Sequence, residues 1–531
     1  MSEFMQISQV KALSTKLNWR FSLFNIVLLI GLIIWLWQET KPVSVIQPQL
    51  SADGKLQCVS YSPYYHPGQT PLNQNSFIQP AQIDHDLAVL SKQFNCVRVY
   101  SVSQGLGYVP EAASKLGMQV YLGAWIGWVG VNNDKELDLA ISIANKYPNT
   151  VKALIVGNEV LLRGEQSEAA MQGYLLKAQQ LTEVPVTYAD VWEFWRKHPK
   201  LESNVDFVTV HVLPYWEDDP QAISQANQHV LNVMSLLKET FQKPILIGET
   251  GWPSIGRQRQ VSEPSLINQA TYLRGFLQLA HDNGWQYNLI EAIDQPWKRD
   301  LEGTVGGYWG IYDTALTPKF AFAGDIQPRN DVGMIVLAGL LGFALFLGLV
   351  FYFQLGLGYV TLGLSAAGTV FGISVWLQTQ YLLSACRNIL EWTTLGGLAL
   401  AGWVMVIGLV LWVCQTNKRY LLILKTCALI LVCAAISATV LLIVDGRYRD
   451  FPISLFALPV LQLSFASIFL GLDIKPQRVL ARVLCVALVV TTLCSIYLEA
   501  HNITAYYWLV LCGLFVVALW PKHQTSTHSS L

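Results

Sequence analysis

Two glutamates stand where chemistry is easily built. In Ala153-Leu154-Ile155-Val156-Gly157-Asn158-Glu159 and in Ile245-Leu246-Ile247-Gly248-Glu249-Thr250-Gly251-Trp252-Pro253-Ser254, an apolar run of strand type ends in a glycine and then an acid. Residues at the carboxyl ends of parallel barrel strands converge on one rim. Two carboxyl groups facing each other there can cleave a glycosidic bond. One, protonated, assists the leaving oxygen; the other, ionised, attacks the anomeric carbon or activates water. A lone strand-end glutamate would more simply cap a helix or pair with an arginine. Two of one design, set among aromatic residues, point to Glu159 and Glu249 as a reacting pair.

Further residues are placed to support that pair. Arg98, in Val97-Arg98-Val99-Tyr100, puts a charge inside an apolar strand. A buried charge needs a partner, and Glu249 is the expected one; the pairing would keep that carboxylate ionised. Asn158 can hydrogen-bond a sugar hydroxyl, and Tyr215 follows the strand next to that of Glu249. Tyr61, Trp252, Trp297 and Lys298 complete the expected substrate-binding set. Twelve tyrosines and tryptophans follow predicted strands rather than helices, among them Trp125, Trp128, Trp192 and Trp216. Aromatic faces stack on the apolar faces of sugars, though about half of these rings are expected to fill the core. His211 reads as a structural histidine. Asp84-His85-Asp86 has the spacing of a nucleotide-sugar metal motif, but it reads better as the acidic start of a helix. No metal and no cofactor is expected.

The elements that position these residues alternate. Candidate strands are Gln57–Tyr61, Cys96–Tyr100, Gln119–Leu122, Ala153–Val156, Val186–Tyr188, Phe207–His211, Ile245–Gly248 and Leu289–Ile293. Between them lie runs of helical period at Ile83–Gln93, Lys135–Lys146, Glu168–Leu181, Ala222–Glu239 and Leu266–Asp282. This pattern predicts a (β/α)8 TIM barrel over residues 43–330. An open doubly wound sheet fits less well, because no strand leads into a Gly-x-Gly-x-x-Gly loop.

The 531-residue chain is 13% charged and 52% hydrophobic, with a net charge of −1. That balance excludes a polyanionic partner such as nucleic acid and places part of the chain in lipid. Residues 1–42 read as a cytoplasmic N-terminus with Lys11, Lys16 and Arg20, then an uncleaved signal anchor at Phe21–Trp37. Residues 331–531 read as a seven-helix membrane domain: Gly333–Phe353, Leu355–Leu377, Thr394–Cys414, Leu421–Val444, Ile453–Leu470, Leu480–Leu498 and Tyr506–Trp520. Each run is near the span of about 20 residues that a membrane helix needs. Lys418, Arg419, Lys475, Arg478 and Lys522 then fall inside, with the C-terminus, and the barrel falls outside the plasma membrane. Arg447 and Arg449 fall outside, against that tendency. Acids are nearly absent from these helices, which disfavours an ion-coupled transporter. Of the nine cysteines only Cys58 and Cys96 lie in the polar part. A disulfide suits an oxidising compartment, but the burial preference of free cysteine favours two thiols.

Val156-Gly157-Asn158-Glu159 and Gly248-Glu249-Thr250-Gly251-Trp252-Pro253-Ser254 together resemble glycoside hydrolase family 17, the β-1,3-glucanase family. Val97-Arg98-Val99-Tyr100 and Gly310-Ile311-Tyr312-Asp313 extend the likeness over about Gln57–Phe320. The resemblance implies a (β/α)8 barrel and a retaining mechanism, with Glu159 as acid/base and Glu249 as nucleophile. Plant members read Phe-Asp-Glu-x-x-Lys where this chain has Ile293-Asp294-Gln295-Pro296-Trp297-Lys298, so a glutamine replaces a glutamate. Glu291 to Lys298, with Gly303 to Gly310, resembles instead a bacterial, membrane-tethered branch associated with β-1,3/β-1,6-glucan synthesis. That likeness implies β-glucan as substrate, transfer as well as hydrolysis, and a glucan synthase as partner; the synthase motif Gln-x-x-Arg-Trp is itself absent. The rival expectation is a non-catalytic glucan-binding or export scaffold, which would have no use for paired acids.

Overall fold

The computed structural model describes residues 2–356 and 358–521, with side chains from Trp19 onward. Lys11, Lys16 and Lys522, which entered the topology reading, lie outside the described side chains. The chain forms two compact units, Val43–Ile326 and Met1–Pro42 with Gln327–Leu531.

The first unit is a closed parallel barrel of β1 (Leu56–Ser60), β2 (Phe94–Val99), β3 (Gln119–Ala124), β4 (Val151–Asn158), β5 (Val186–Val191), β6 (Val208–His211), β7 (Ile245–Thr250) and β8 (Gln286–Leu289). Alternation along each strand separates two environments. Val59, Val97, Val99, Leu122, Leu154, Val156 and Val210 face outward into the main apolar core beneath the helices. Cys58, Cys96, Tyr121, Ala153, Ile155, Ala189 and Leu246 form a separate cluster inside the barrel and close its floor. Ser60, Arg98, Thr209, His211 and Asn288 make a buried polar tier above.

Helices Pro80–Leu90, Gly130–Lys146, Glu168–Leu181, Ile223–Thr240 and Leu266–Asn283 fall where helical periodicity places them. Ser167 and Ser265 cap two of them by accepting from the backbone N–H three residues on. A short helix, Val109–Lys115, joins β2 to β3 and escapes the periodicity because it spans only two turns. β8 begins at Gln286, earlier than the expected Leu289. Its inward Asn288 donates to Ser60 Oγ at 2.8 Å and to the Gly248 carbonyl at 2.9 Å, so a strand residue looks like a turn residue in sequence.

Cys58 and Cys96 are joined as a disulfide, which corrects the expectation of free thiols. The physical reason is register. Cys58 lies opposite Cys96 on adjacent parallel strands, both point into the barrel, and their Cα atoms are 4.4 Å apart.

Among the described residues of the second unit, six helices are long and apolar enough to cross a membrane: Trp19–Glu39, Val332–Tyr352, Tyr359–Ala385, Ile389–Cys414, Lys418–Val444 and Arg478–Leu498. Ile453–Phe469 and Ile503–Leu519 are shorter apolar helices of 17 residues each. Val332–Tyr352 and Tyr359–Ala385 form a tight hairpin. At their crossing Ala338 and Gly342 meet Gly368 and Gly372, and a Cβ on either of the last two would strike the facing backbone. Small residues let helix backbones approach where lipid supplies no hydrophobic drive. The N-terminal helix packs into the same bundle: Gln462 donates to buried Asn25, and Phe24 stacks on Phe465. Arg449, placed outside by the topology reading, pairs with Asp445 at 3.1 Å.

The disulfide closes a sequence separation of 38 residues, a link typically worth about 2–4 kcal/mol. The double variant Cys58→Ala, Cys96→Ala should therefore unfold at a temperature several degrees lower by circular dichroism. A thiol reductant should lower the wild-type transition and leave that of the variant in place.

Candidate active site

The two glutamates reach the barrel mouth through irregularities in their strands. Along β7, Leu246 and Gly248 point inward, so strict alternation would send Glu249 outward. The register with β6 shifts between Val210 and His211, bringing His211 opposite Glu249; such a bulge re-aims a side chain. Gly248 gives the room, because a Cβ there would collide with Thr209 Cγ2 and crowd the His211 ring. β4 repeats the device, with a register shift between Ile155 and Asn158. Gly157 has φ +84° and Glu159 itself φ +52°, a region that non-glycine residues seldom occupy. The Glu159 N–H donates to the Ala189 carbonyl at 2.8 Å. Behind it the Tyr188 hydroxyl takes the Leu161 N–H at 2.9 Å and donates to Asp190. A strained glutamate held from several sides is typical of functional positions.

Arg98 sits at the centre and is 1% exposed. Its Nη1 donates to the Gly248 carbonyl at 2.7 Å and to Glu249 Oε1 at 3.2 Å, and its Nη2 donates to Asn158 Oδ1. The pairing with Glu249 is the one the sequence points to. The Tyr100 hydroxyl lies 2.9 Å from both Glu249 Oε1 and Ser60 Oγ. Burial and the neighbouring Glu249 charge push that phenol well above its ordinary range, so it stays a hydrogen-bond donor.

His211 is the residue that sequence reasoning passed over. Nδ1 lies 3.0 Å from Glu159 Oε1, and Nε2 lies 3.6 Å from Glu249 Oε1. Arg98 Nη1 is 3.3 Å from Nε2. A guanidinium can only donate, so Nε2 accepts and Nδ1 carries the hydrogen given to Glu159. Its position at the end of β6, level with Glu249, was the available signal. Oxygens of both glutamates and a His211 nitrogen lie within 4.8 Å of one another. Such a group has the spacing of a metal site, but the Arg98 guanidinium already fills the electrostatic role of a cation there.

Burial pushes the Glu159 carboxyl up, but the His211 hydrogen bond and the nearby Arg163 and Arg98 guanidiniums outweigh it and hold the group below its ordinary range. The Arg163 guanidinium lies 4.0 Å from Glu159 Oε2.

A second acidic cluster adjoins the mouth beyond β8. Lys298 Nζ donates to both oxygens of buried Glu291, at 2.9 and 3.1 Å. Burial pushes the Glu291 carboxyl up to about 7, against Lys298 and with help from Glu302 and Glu249. Gln295, which stands where the plant pattern has a glutamate, is fully buried. It donates to the Ser62 and Ile293 carbonyls and accepts from Trp297 Nε1. Glu291 therefore contributes a carboxylate that Gln295 does not.

Three expected substrate contacts are instead core residues. Tyr61 is fully buried, and its hydroxyl donates to Asp86 at 2.8 Å, beside that of Tyr65 at 2.6 Å. Those bonds account for the acid of Asp84-His85-Asp86 as helix packing within Pro80–Leu90. Tyr215 and Trp252 are fully buried against each other; the first donates to the Arg257 carbonyl and the second to the Glu263 carbonyl. Through that hydroxyl Tyr215 supports the loop after β7. Alternation shows that a residue follows a strand but not how deep the next loop covers it. Of the twelve rim aromatics, Tyr64, Tyr65, Trp195, Tyr215, Trp252 and Trp309 are buried, while Trp125 and Trp128 are exposed. Trp297 and Lys298 are half-buried, and Asn158 is buried at 9% exposure.

Residues 58–310 match the BtgE/BtgC glycoside hydrolase domain. The chain is 27% identical over 264 residues to a probable beta-glucosidase btgE of Aspergillus fumigatus, covering 48% of this chain and 45% of that protein. It is 26% identical over 271 residues to the glucan 1,3-beta-glucosidase BGL2 of Candida albicans, covering 44% and 84%. The chain thus spans just under half the length of the first of these relatives. Among solved structures, a glycoside hydrolase family 17 beta-1,3-glucanosyltransferase from Rhizomucor miehei is similar at 27% identity and a TM-score of 0.44, covering 49% of this chain and 94% of that one.

Removing Arg98 should leave Glu249 buried without its counter-charge, which typically costs about 3–5 kcal/mol. Arg98→Met should lower stability in urea unfolding by that order. The double variant Arg98→Met, Glu249→Gln should recover much of the loss.

Proposed function

We propose that this glycoside hydrolase domain is a retaining β-glucan-active enzyme that transfers or hydrolyses glucosyl units, with Glu249 as nucleophile and Glu159 as acid/base. The observation that carries the reading is the approach of the two carboxylates to within 4.8 Å, with His211 between them. Retaining glycosidases hold their carboxyl groups about 5–5.5 Å apart; inverting ones leave a gap of roughly 6.5 Å or more for water.

Arg98 and Tyr100 donate hydrogen bonds to Glu249 and aim it. Its carboxylate attacks the anomeric carbon while Glu159 protonates the departing oxygen. The glucosyl ester neutralises Glu249, and Glu159 then takes a proton from water or from a sugar hydroxyl. The low-lying Glu159 carboxyl suits the second step. A sugar in the cleft would strip water from its exposed edge and push the carboxyl up for the first. Asn158, whose oxygen is held by Arg98, would offer its NH2 to the sugar, with Trp297 and Lys298 at the far wall.

The second unit gives this enzyme a membrane anchor. A disulfide inside the barrel suits an oxidising compartment, and Lys418, Arg419, Lys475 and Arg478 suit the cytoplasmic side. Barrel outside and C-terminus inside is the arrangement both favour. A glucan synthase as partner rests on the sequence resemblance alone.

Incubating the full chain with laminari-oligosaccharides and following product lengths tests the reading. Longer products mean transfer and shorter ones hydrolysis; unchanged oligosaccharide would favour a binding scaffold. Glu249→Ala should abolish both reactions, and surviving activity would sink the assignment. Glu159 must be protonated for the first step, so its ionisation sets the alkaline limb of kcat/KM. Arg163→Met removes a charge that lowers the Glu159 carboxyl, so this limb should move to higher pH; a limb that stays put would remove Arg163 from the account.

A further inference from the structure

We propose that the loop after β3, residues 125–129, together with Arg163, is the subsite for the leaving and accepting sugar, and that Trp125 and Trp128 set the balance between transfer and hydrolysis. This rests on the β-glucan reading above.

Three observations converge on this loop. The first is exposure without softness. Trp125 is 41% and Trp128 70% exposed, yet the loop is pinned from several sides. The Trp125 N–H donates to Glu136 Oε1 at 3.4 Å. That buried carboxylate also takes the Ser101 hydroxyl at 2.6 Å and the Val102 N–H at 2.8 Å. Asn133 brackets Gly127, accepting from its N–H and donating to its carbonyl, both at 2.8 Å. Gln166 donates to the same carbonyl at 2.7 Å. Holding an exposed loop backbone still in water costs ordering entropy and returns little burial. Such rigidity suits a preformed binding surface, where the ordering is done before the ligand arrives.

The second observation is side. Glu159 Oε1 faces His211 and, beyond it, Glu249. Glu159 Oε2 faces Arg163, whose guanidinium carbon lies 4.6 Å from the centre of the Trp125 ring. The loop therefore lies on the flank of the acid/base away from the nucleophile. An acid/base holds the oxygen that joins donor to leaving group, so the next sugar extends to that flank.

The third is chemistry. Indole faces stack on the apolar faces of β-linked glucose, and Arg163 can donate to a hydroxyl. In transfer, the acceptor hydroxyl oxygen bonds to the anomeric carbon, the bond to Glu249 breaks, and the acceptor proton passes to Glu159. In hydrolysis water takes the acceptor's place. A sugar held on the two tryptophans gains by proximity and excludes water from the same position.

The test uses the full chain in detergent. Laminaripentaose serves as donor and acceptor, and a nitrophenyl β-laminaribioside serves as a donor whose leaving group needs no sugar subsite. Trp125→Ala and Trp128→Ala should each lower the ratio of transfer to hydrolysis by about 5- to 10-fold, the scale of one aromatic stack. Nitrophenol release should change by less than about 2-fold on the same grounds, and Trp125→Phe should restore much of the ratio. An unchanged ratio in both alanine variants, or parallel loss of nitrophenol release and transfer, overturns the proposal. Binding decides it independently of turnover: laminaripentaose should bind Glu249→Ala several-fold more tightly than Glu249→Ala with Trp125→Ala. Equal affinity overturns the subsite. A wild type that processes neither substrate would instead overturn the β-glucan reading.

Discussion

The buried guanidinium of Arg98 is the interaction on which the barrel mouth depends. One side chain from β2 reaches the Gly248 carbonyl and Glu249 on β7, Asn158 on β4 and His211 on β6. A charge taken so far from water is tolerated only with compensation of this quality. The requirement works in both directions. Arg98 needs a counter-charge, and a nucleophilic Glu249 needs a partner that aims it without blocking its approach to a sugar. Stability and reactivity are here demands on one contact.

The barrel divides its interior to serve that contact. Its floor is packed with a small apolar cluster and the Cys58–Cys96 link. The polar tier then sits against a closed base, and electrostatic effects among Arg98, Glu249 and His211 are correspondingly strong. The glycines that precede the two glutamates spend their missing side chains differently. Gly248 leaves space for neighbouring strands, whereas Gly157 supplies a left-handed turn. One sequence pattern thus serves two geometries with the same outcome, an acid aimed across the mouth.

The second unit follows other rules. Its helices meet through small residues at Ala338, Gly342, Gly368 and Gly372, and through buried polar pairs such as Asn25 with Gln462 and Thr439 with Trp508. Asn25 belongs to the N-terminal helix, so that segment is a member of the bundle and not only a leader to the barrel. The pairs are satisfied within the protein, as apolar surroundings demand.

Much of this was legible in the sequence because it depends on local period and composition. Alternating apolar strands and helical runs determined the barrel, the apolar stretches determined the helices of the second unit, and the strand-Gly-acid pattern singled out Glu159 and Glu249. The lone arginine in an apolar strand pointed to its partner by charge alone. What only the tertiary structure decided was register and depth. Cys58 meets Cys96 because β1 and β2 align without offset, and His211 joins the site because a bulge brings it level with Glu249. Tyr61, Tyr215 and Trp252 sink into the core while Trp125 and Trp128 stay in water, because the helix Pro80–Leu90 and the loop after β7 pack on the first group and leave the second bare. Period and composition are properties of a segment; register and cover are relations between segments, and these are set when the barrel closes.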